Sequence, residues 1–233
     1  MRKICLYHRS DLDGKCSGAI VKRHIPGTEM IGIDYGDKIP WKDLEGAHVY
    51  LVDFSLQPWT DMIRLADVAE KVTWIDHHKS AIEEMANFPI ACDGIQDSNF
   101  AACELCWNHF NMNSDVGMPR AVWLLGRYDI WKLDAHEDIL PFQMGMRLNR
   151  ADPSDAIWDD LIEEGAAGGK LIESILAEGQ TVLQYQEQCN KSLMRKSFVH
   201  EWKGLKFLAV NAGGINSNAF ESSFDPAKHD AAF

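Results

Sequence analysis

Short apolar runs alternate with amphipathic stretches along the first part of the chain. The apolar runs are rich in β-branched and aromatic side chains, which favours buried strands. We predict strands at residues 4–7, 30–33, 49–52 and 72–75. Apolar residues at helical spacing predict helices between them, at residues 14–24, 57–70 and 80–87. Alternating strands and helices are typical of βαβ units, so we expect an α/β fold with a parallel sheet flanked by helices.

The pattern becomes helical after about residue 95. Helices are predicted at residues 100–110, 120–128, 136–148 and 153–163. A glycine-rich break then precedes a long predicted helix at residues 170–196 and a strand at 205–210. The long helix has the character of a connector, and the roughly 35 residues after it are fewer than usually fold alone. We therefore divide the chain into an α/β domain with its helical region (1–165), a connector helix (166–198) and a short piece of a second domain (199–233).

The net charge restricts which kinds of ligand the chain is expected to bind. The chain has 23 Lys+Arg against 35 Asp+Glu, a net charge of −12. A general grip on long DNA or RNA needs a basic surface, so we expect no tight binding of long nucleic acid. A small nucleotide or a short oligonucleotide held through metal ions remains compatible with this acidity.

The start of the chain lacks a signal-peptide apolar core, and no apolar run approaches the roughly 18 residues of a membrane span. Six scattered cysteines favour a reduced, soluble, cytoplasmic protein without membrane contact. Cys103 and Cys106 form a single CxxC pair, which is more often two buried helix cysteines than a metal or redox site. A homodimer is compatible with the sequence, although the sequence does not determine the oligomeric state.

Three of the four predicted strands run directly into residue types that bind metals. The first ends at His8 and is followed by Asp11 and Asp13, the third ends at Asp53, and the fourth ends at Asp76-His77-His78. Ligands of open parallel sheets bind outside the carboxyl ends of the strands, so we expect these side chains to converge. Asp34 ends the second predicted strand and is an equal candidate on the same grounds.

The mixture of carboxylates and imidazoles suits manganese, iron or zinc better than calcium. Asp11 and Asp13 are two residues apart in a loop and can face two different metals, and Asp53 between them can bridge the pair. Two such metals can activate a shared water for phosphoryl displacement. The helix predicted from Gly14 adds free N–H groups that favour phosphate.

Four segments in this order resemble the four motifs of the DHH-family phosphoesterases, over roughly residues 1–150. They are His8-Arg9-Ser10-Asp11-Leu12-Asp13-Gly14, Val52-Asp53, Ile75-Asp76-His77-His78 and Tyr128-Asp129-Ile130-Trp131. The family includes oligoribonucleases, phosphatases for 3′-phosphoadenosine 5′-phosphate, cyclic dinucleotide phosphodiesterases and a branch of inorganic pyrophosphatases. Asp-His-His alone is a weak signal, but with the other motifs in order it becomes a strong one.

The resemblance implies a role for each residue and two divalent metal ions, expected to be Mn²⁺. One metal would be held by His8, Asp11 and Asp53, and the other by Asp13, Asp53, His77 and Asp129. His78 would act catalytically by binding the substrate phosphate and stabilising its charge. Asp76 would orient the site, as a ligand or behind the ligands. The family pattern has no ligand at the position of Asp34, so the resemblance leaves that residue out.

The resemblance implies a metal-dependent phosphohydrolase that cleaves phosphoester bonds of short oligonucleotides or small phosphorylated nucleotides. Two alternatives stay open: an inorganic pyrophosphatase, and a catalytically degenerate nucleotide-binding module. The family normally continues into a second domain with a Gly-Gly-Gly-His stretch, whereas Gly213-Gly214 lies too early and no His follows closely. Residues 199–233 are therefore predicted to be a partial or shortened substrate-binding domain. Four cations that could contact phosphate are more often solvated surface charges: Lys79, Arg127, Lys132 and Arg147.

Overall fold

Five parallel strands form the sheet of the amino-terminal part. A computed structural model describes residues 1–215 and 217–233. The strands are β1 (Lys3–His8), β2 (Glu29–Ile33), β3 (His48–Val52), β4 (Lys71–Asp76) and β5 (Asp93–Gln96). Their order is β2-β1-β3-β4-β5, and every neighbouring pair is parallel. The predicted α/β fold class is confirmed.

Nine α-helices occur in the described ranges. They are α1 (Leu12–His24), α2 (Trp41–Leu44), α3 (Trp59–Val68), α4 (Lys79–Asn87), α5 (Ala102–Asn111), α6 (Arg120–Asp129), α7 (Ile139–Met146), α8 (Ile157–Glu163) and α9 (Lys170–Met194). Within the same ranges, none of these helices is long and apolar enough to cross a membrane.

Successive residues of the central strands enter two different apolar cores. Cys5 and Tyr7 of β1 join the core built with α1 and the helices α5 to α8, whereas Ile4 and Leu6 join the core built with α3. Side chains alternate between the faces of a strand, so a strand buried on both sides reads as a continuous apolar run. This explains why β1, β3 and β4 could be predicted from the sequence.

The strand order places a topological switch between β1 and β3. From β1 the chain passes to β2 on one side of the sheet, and after β3 it continues to β4 and β5 on the other side. The crevice at such a switch, outside the carboxyl ends of the strands, is the usual ligand site of open α/β sheets. The residues that follow β1 and β3 therefore lie where a ligand site is expected.

Two short elements of this sheet layer escaped the sequence prediction. α2 has only four residues, and β5 is a four-residue edge strand of sequence Asp-Gly-Ile-Gln. Gly94 of β5 has a φ of +121°, and a Cβ there would lie 1.9 Å from the carbonyl oxygen of Trp74. This strand depends on the close approach of its backbone to β4 and has no apolar periodicity.

The chain divides into two compact units, Met1–Gly179 and Gln180–Phe233. The second unit contains β6 (Phe198–Trp202), β7 (Leu205–Ala209) and β8 (Ala231–Ala232) in a three-stranded sheet of that order. Its small core includes Met194, Leu208 and Phe220. The boundaries predicted at residues 165 and 198 stay a prediction, and residue 216 of the predicted second-domain piece lies outside the described residues.

Candidate metal centre

Three neighbouring strands deliver the candidate ligands at one level of the sheet. In the parallel register Tyr7 lies opposite Val52, and Val52 lies opposite Ile75. The next residue of each segment is therefore His8, Asp53 and Asp76, side by side at the carboxyl edge. Convergence of these residues follows directly from strand pairing.

Asp53 lies at the centre of the cluster. Its Oδ2 is 3.5 Å from His8 Nδ1, and its Oδ1 is 3.3 Å from His77 Nε2. The residue is buried and has a φ of +54°, the left-handed region that costs an L-residue energy. Oδ1 has no hydrogen bond from the described residues. A strained, buried carboxylate that faces two imidazoles is typical of a functional site.

His8 and Asp11 form the first group with Asp53. His8 Nδ1 lies 2.6 Å from Asp11 Oδ2. Asp11 is also the N-cap of α1, since its Oδ1 accepts a hydrogen bond of 2.8 Å from the Gly14 backbone N–H. A Cβ on Gly14 would lie 2.1 Å from the His8 carbonyl oxygen, so only glycine allows α1 to begin this close to β1.

His77 gathers the second group. Its Nε2 lies 3.3 Å from Asp129 Oδ2 and 3.7 Å from Asp13 Oδ2. Asp13 is buried, and its two oxygens accept hydrogen bonds from the backbone N–H groups of Ala102 and Cys103 at the start of α5. Asp129 is the last residue of α6. This group therefore joins β4, α1 and α6 around one imidazole.

Asp76 holds the backbone of both histidines and the side chain of His78. It is fully buried, and its Oδ1 accepts hydrogen bonds from the backbone N–H of His77 at 2.8 Å and of His78 at 3.3 Å. The same oxygen lies 2.7 Å from His78 Nδ1. This contact raises the pKa of His78 to about 9.

The cluster carries more carboxylate than its surroundings neutralise. Burial raises the pKa of Asp53 to about 8, with a further increase from Asp11 and Asp76. Burial likewise raises the pKa of Asp13 well above its ordinary value. Hydrogen bonds to Asp11 and Asp53 raise the pKa of His8 to about 10. Burial and neighbouring carboxylates thus disfavour the charged form of these aspartates, and bound cations would favour it.

The residues fit divalent cations. His8, Asp11 and Asp53 form one group whose ligand atoms lie within 4.8 Å of one another, and Asp13, His77 and Asp129 form another. A third such group contains Asp53, His77 and His78. The unpartnered Asp53 Oδ1 and the mixed carboxylate and imidazole set are what such an ion requires. The structure thus brings together all eight predicted site residues, while their individual roles stay predictions.

Asp34 also reaches this site. Its Oδ1 lies 3.5 Å from His8 Nε2, and its carboxylate accepts hydrogen bonds from Ser10 Oγ and the Tyr35 backbone N–H. The place of Asp34 at the end of β2 predicted that it would lie here, whereas the family resemblance left it out of the ligand set. The structure puts Asp34 beside His8, on the side away from Asp11.

The candidate cations differ in environment. Arg127 is not a solvated charge, because its guanidinium donates to the buried Glu104 carboxylate. Arg147 donates to Tyr128 Oη at 3.3 Å, and Lys79 lies 3.9 Å from Glu83 on the surface. Cys103 and Cys106 are buried, and burial raises the pKa of both thiols, which agrees with helix-core cysteines.

Neither the protein-family profiles nor the curated protein sequences give a match to this chain. Among solved structures, the chain is similar to the DHH domain of a protein described as a member of a ribosomal protein family. The TM-score is 0.52 at 14% identity, over 90% of this chain and 63% of that one. This likeness shows the fold alone: the chain has the fold of a DHH domain. It spans less than two thirds of that structure's length.

Two other solved structures are similar with lower TM-scores. An uncharacterised protein from Helicobacter pylori G27 gives 0.49 at 15% identity, over 94% of this chain and 77% of that one. A pGpG-specific phosphodiesterase from Vibrio cholerae gives 0.45 at 15% identity, over 92% and 70%.

Proposed function

We propose that this chain is a metal-dependent phosphohydrolase that cleaves phosphoester bonds of short oligonucleotides or small phosphorylated nucleotides through two Mn²⁺ ions. The observation that carries the proposal is the position of Asp53. Its two carboxylate oxygens face different histidines, His8 and His77, at 3.5 and 3.3 Å. A bridging carboxylate between two ligand groups is the arrangement that a binuclear centre needs.

These contacts support the ligand sets that the family resemblance implies. His8, Asp11 and Asp53 would hold one ion, and Asp13, Asp53, His77 and Asp129 would hold the other. Two bound ions would lower the pKa of a shared water and neutralise the phosphoryl oxygens of an ester. Carboxylate and imidazole ligands without thiolates suit manganese, iron or zinc, and Mn²⁺ is the ion that the family resemblance implies.

The chain's own residues bind and orient the ester. His78 is held through Nδ1 by Asp76, so its charged ring presents the other N–H to the substrate phosphate. The high pKa of His78, about 9, keeps that charge at neutral pH. Asp76 serves as the positioning residue for both histidines, because it also accepts their backbone N–H groups.

The charge distribution favours nucleotides over inorganic pyrophosphate. A pyrophosphatase must hold a substrate of about four negative charges, for which a basic second domain is expected. After Lys196 the chain has only three lysines, Lys203, Lys206 and Lys228, and no arginine. Binding of an ester with one scissile phosphate requires less positive charge on the protein than binding of pyrophosphate.

A substrate panel tests the proposal. The Mn²⁺-loaded protein is given a dinucleotide, 3′-phosphoadenosine 5′-phosphate, a cyclic dinucleotide, pyrophosphate and a long single strand. We expect turnover of at least one small nucleotide and little of pyrophosphate or the long strand. Preferential hydrolysis of pyrophosphate would identify the other branch of the family, and binding without turnover would identify a degenerate module.

Two variants and a matched control assign the activity to the site. Asp53→Asn and His77→Ala should each lower kcat/KM at least about 100-fold, because each loses a contact to an ion. Asp93→Asn is the control, since Asp93 begins β5 at the opposite edge of the sheet and pairs with Lys71. Activity that survives both site substitutions would refute the assignment.

A further inference from the structure

The end of α6 presents an exposed tryptophan beside the metal centre. Trp131 is 77% exposed, more than any other large apolar residue in the described ranges. It lies two residues after Asp129, whose carboxylate contacts His77. Consecutive Cα atoms are about 3.8 Å apart, so the Cα atoms of Trp131 and Asp129 are within about 7.6 Å of each other.

The backbone at Trp131 has a conformation that usually requires glycine. The Lys132 N–H donates to the Arg127 carbonyl and the Trp131 N–H donates to the Tyr128 carbonyl, the two bonds of a Schellman C-cap. Trp131 occupies the left-handed position of this cap, with a φ of +57°. A bulky residue at that position is an outlier, and strain of this kind accumulates at functional sites.

Neighbouring side chains fix the indole and add positive charge. The Trp131 and Tyr128 rings are stacked, with centroids 6.2 Å apart and planes 27° apart. The Arg147 guanidinium lies 5.7 Å from the centroid of the Tyr128 ring and donates to Tyr128 Oη. Arg147 therefore adds a positive charge beside the Tyr128 ring on which the indole stacks.

We propose that Trp131 is a base-stacking platform, on which the nucleobase adjoining the scissile phosphate lies while that phosphate reaches the metal centre. The inference rests on the proposed function for the class of substrate and adds the group that recognises its base. Aromatic side chains stack on any base, so this platform selects a nucleotide over pyrophosphate without reading its sequence. Arg147 holds the Tyr128 ring that supports the indole and is a positioning residue.

A binding comparison tests the platform without relying on turnover. Calorimetry measures the Kd of AMP and of ribose 5-phosphate, which differ only in the base, for the full chain and for Trp131→Ala and Trp131→Phe. We expect the full chain to bind AMP about 10-fold more tightly than ribose 5-phosphate, since one base stack has an effect of that order. Trp131→Ala should remove this preference, and Trp131→Phe should retain part of it.

Met112→Ala is the matched control, because Met112 is also largely exposed, at 69%, and lies at the far end of α5 from the residues that bind Asp13. It should retain the full preference for AMP. Equal binding of the two probes by the full chain, no binding of AMP, or an unchanged preference in Trp131→Ala would overturn the platform. Turnover of a dinucleotide together with equal probe binding would refute the platform and leave the hydrolase standing. A preference for AMP that depends on Trp131, without turnover of any ester, would support the platform and refute the hydrolase.

Discussion

The Asp13 carboxylate accepts a hydrogen bond of 2.8 Å from the backbone N–H of Cys103, a residue 90 positions away in the chain. Its second oxygen accepts the Ala102 N–H at 2.9 Å. These donors belong to the first turn of α5, where backbone N–H groups have no partner within the helix. A candidate metal ligand on α1 therefore also closes the start of α5, and stability and metal binding are coupled at this residue.

Replacement of Asp13 should separate these two roles. Asp13→Ala should lower the free energy of unfolding of the metal-free protein by about 1–3 kcal/mol, because two buried N–H groups lose their acceptor. Asp13→Asn keeps one acceptor oxygen and should be less destabilising, although both variants lose Mn²⁺ affinity. Urea unfolding in EDTA measures the first effect and Mn²⁺ calorimetry the second. If the two variants unfold at the same urea concentration, the capping role is wrong.

Asp53→Asn should stabilise the metal-free protein while it weakens metal binding. The buried Asp53 carboxylate has a pKa of about 8, so at pH 8.5 its ionisation opposes folding. A neutral amide of nearly the same shape avoids that cost. We expect a higher Tm than that of the unmodified chain in EDTA at pH 8.5, and a smaller increase on addition of Mn²⁺. A lower Tm in EDTA would show that burial does not govern this carboxylate.

The stability of the metal-free protein should fall as the pH rises from 5.5 to 9. A carboxyl whose folded pKa is raised from 3.8 to about 8, as for Asp53, contributes stability below pH 3.8 that is lost as the pH rises through 8. His8, raised from 6.5 to about 10, loses its contribution between those values, which adds to the same decline. Tm measured in EDTA across this range checks the sign. Asp53→Asn should show a shallower slope.

Metal binding should release protons at pH 7. Asp53 and His8 are largely protonated there in the metal-free protein, with pKa values of about 8 and 10, and an ion can bind only their deprotonated atoms. Mn²⁺ calorimetry in buffers of different ionisation enthalpy counts these protons. We expect a release of more than one proton per two ions, decreasing in Asp53→Asn. An enthalpy that is the same in every buffer would contradict this.

How much of the fold the sequence predicts depends on how an element is stabilised. β1, β3 and β4 are buried on both faces, so each appears as an apolar run, and Asp53 and His77 could be placed at the sheet edge from that pattern alone. β5 was not predicted, because Gly94 packs its backbone directly against β4 and leaves no apolar period.

The cluster was predictable for a second reason: its ligands follow the strands in sequence. The supporting contacts were not. Glu104 and Arg127 form their buried pair between α5 and α6, and the Asp13 bonds to α5 likewise join residues far apart in the chain. The position of Asp34 at the end of β2 indicated that it belongs to the site. The family pattern has no ligand there and led to its exclusion. Long-range side-chain contacts of this kind depend on packing, which no local pattern encodes.

Trp131→Gly should make the protein more stable, which is unusual for the loss of a large aromatic side chain. A left-handed residue with a Cβ costs about 1–2 kcal/mol that glycine avoids, and the indole is largely solvent-exposed, so little buried area is lost. We expect the free energy of unfolding to rise by up to about 1 kcal/mol after the loss of the Tyr128 contact, as measured by urea unfolding. The same variant should lose the preference for AMP over ribose 5-phosphate. A residue kept for packing alone would lose stability on this change. A gain in stability together with a loss of base binding is expected only where strain is retained for recognition.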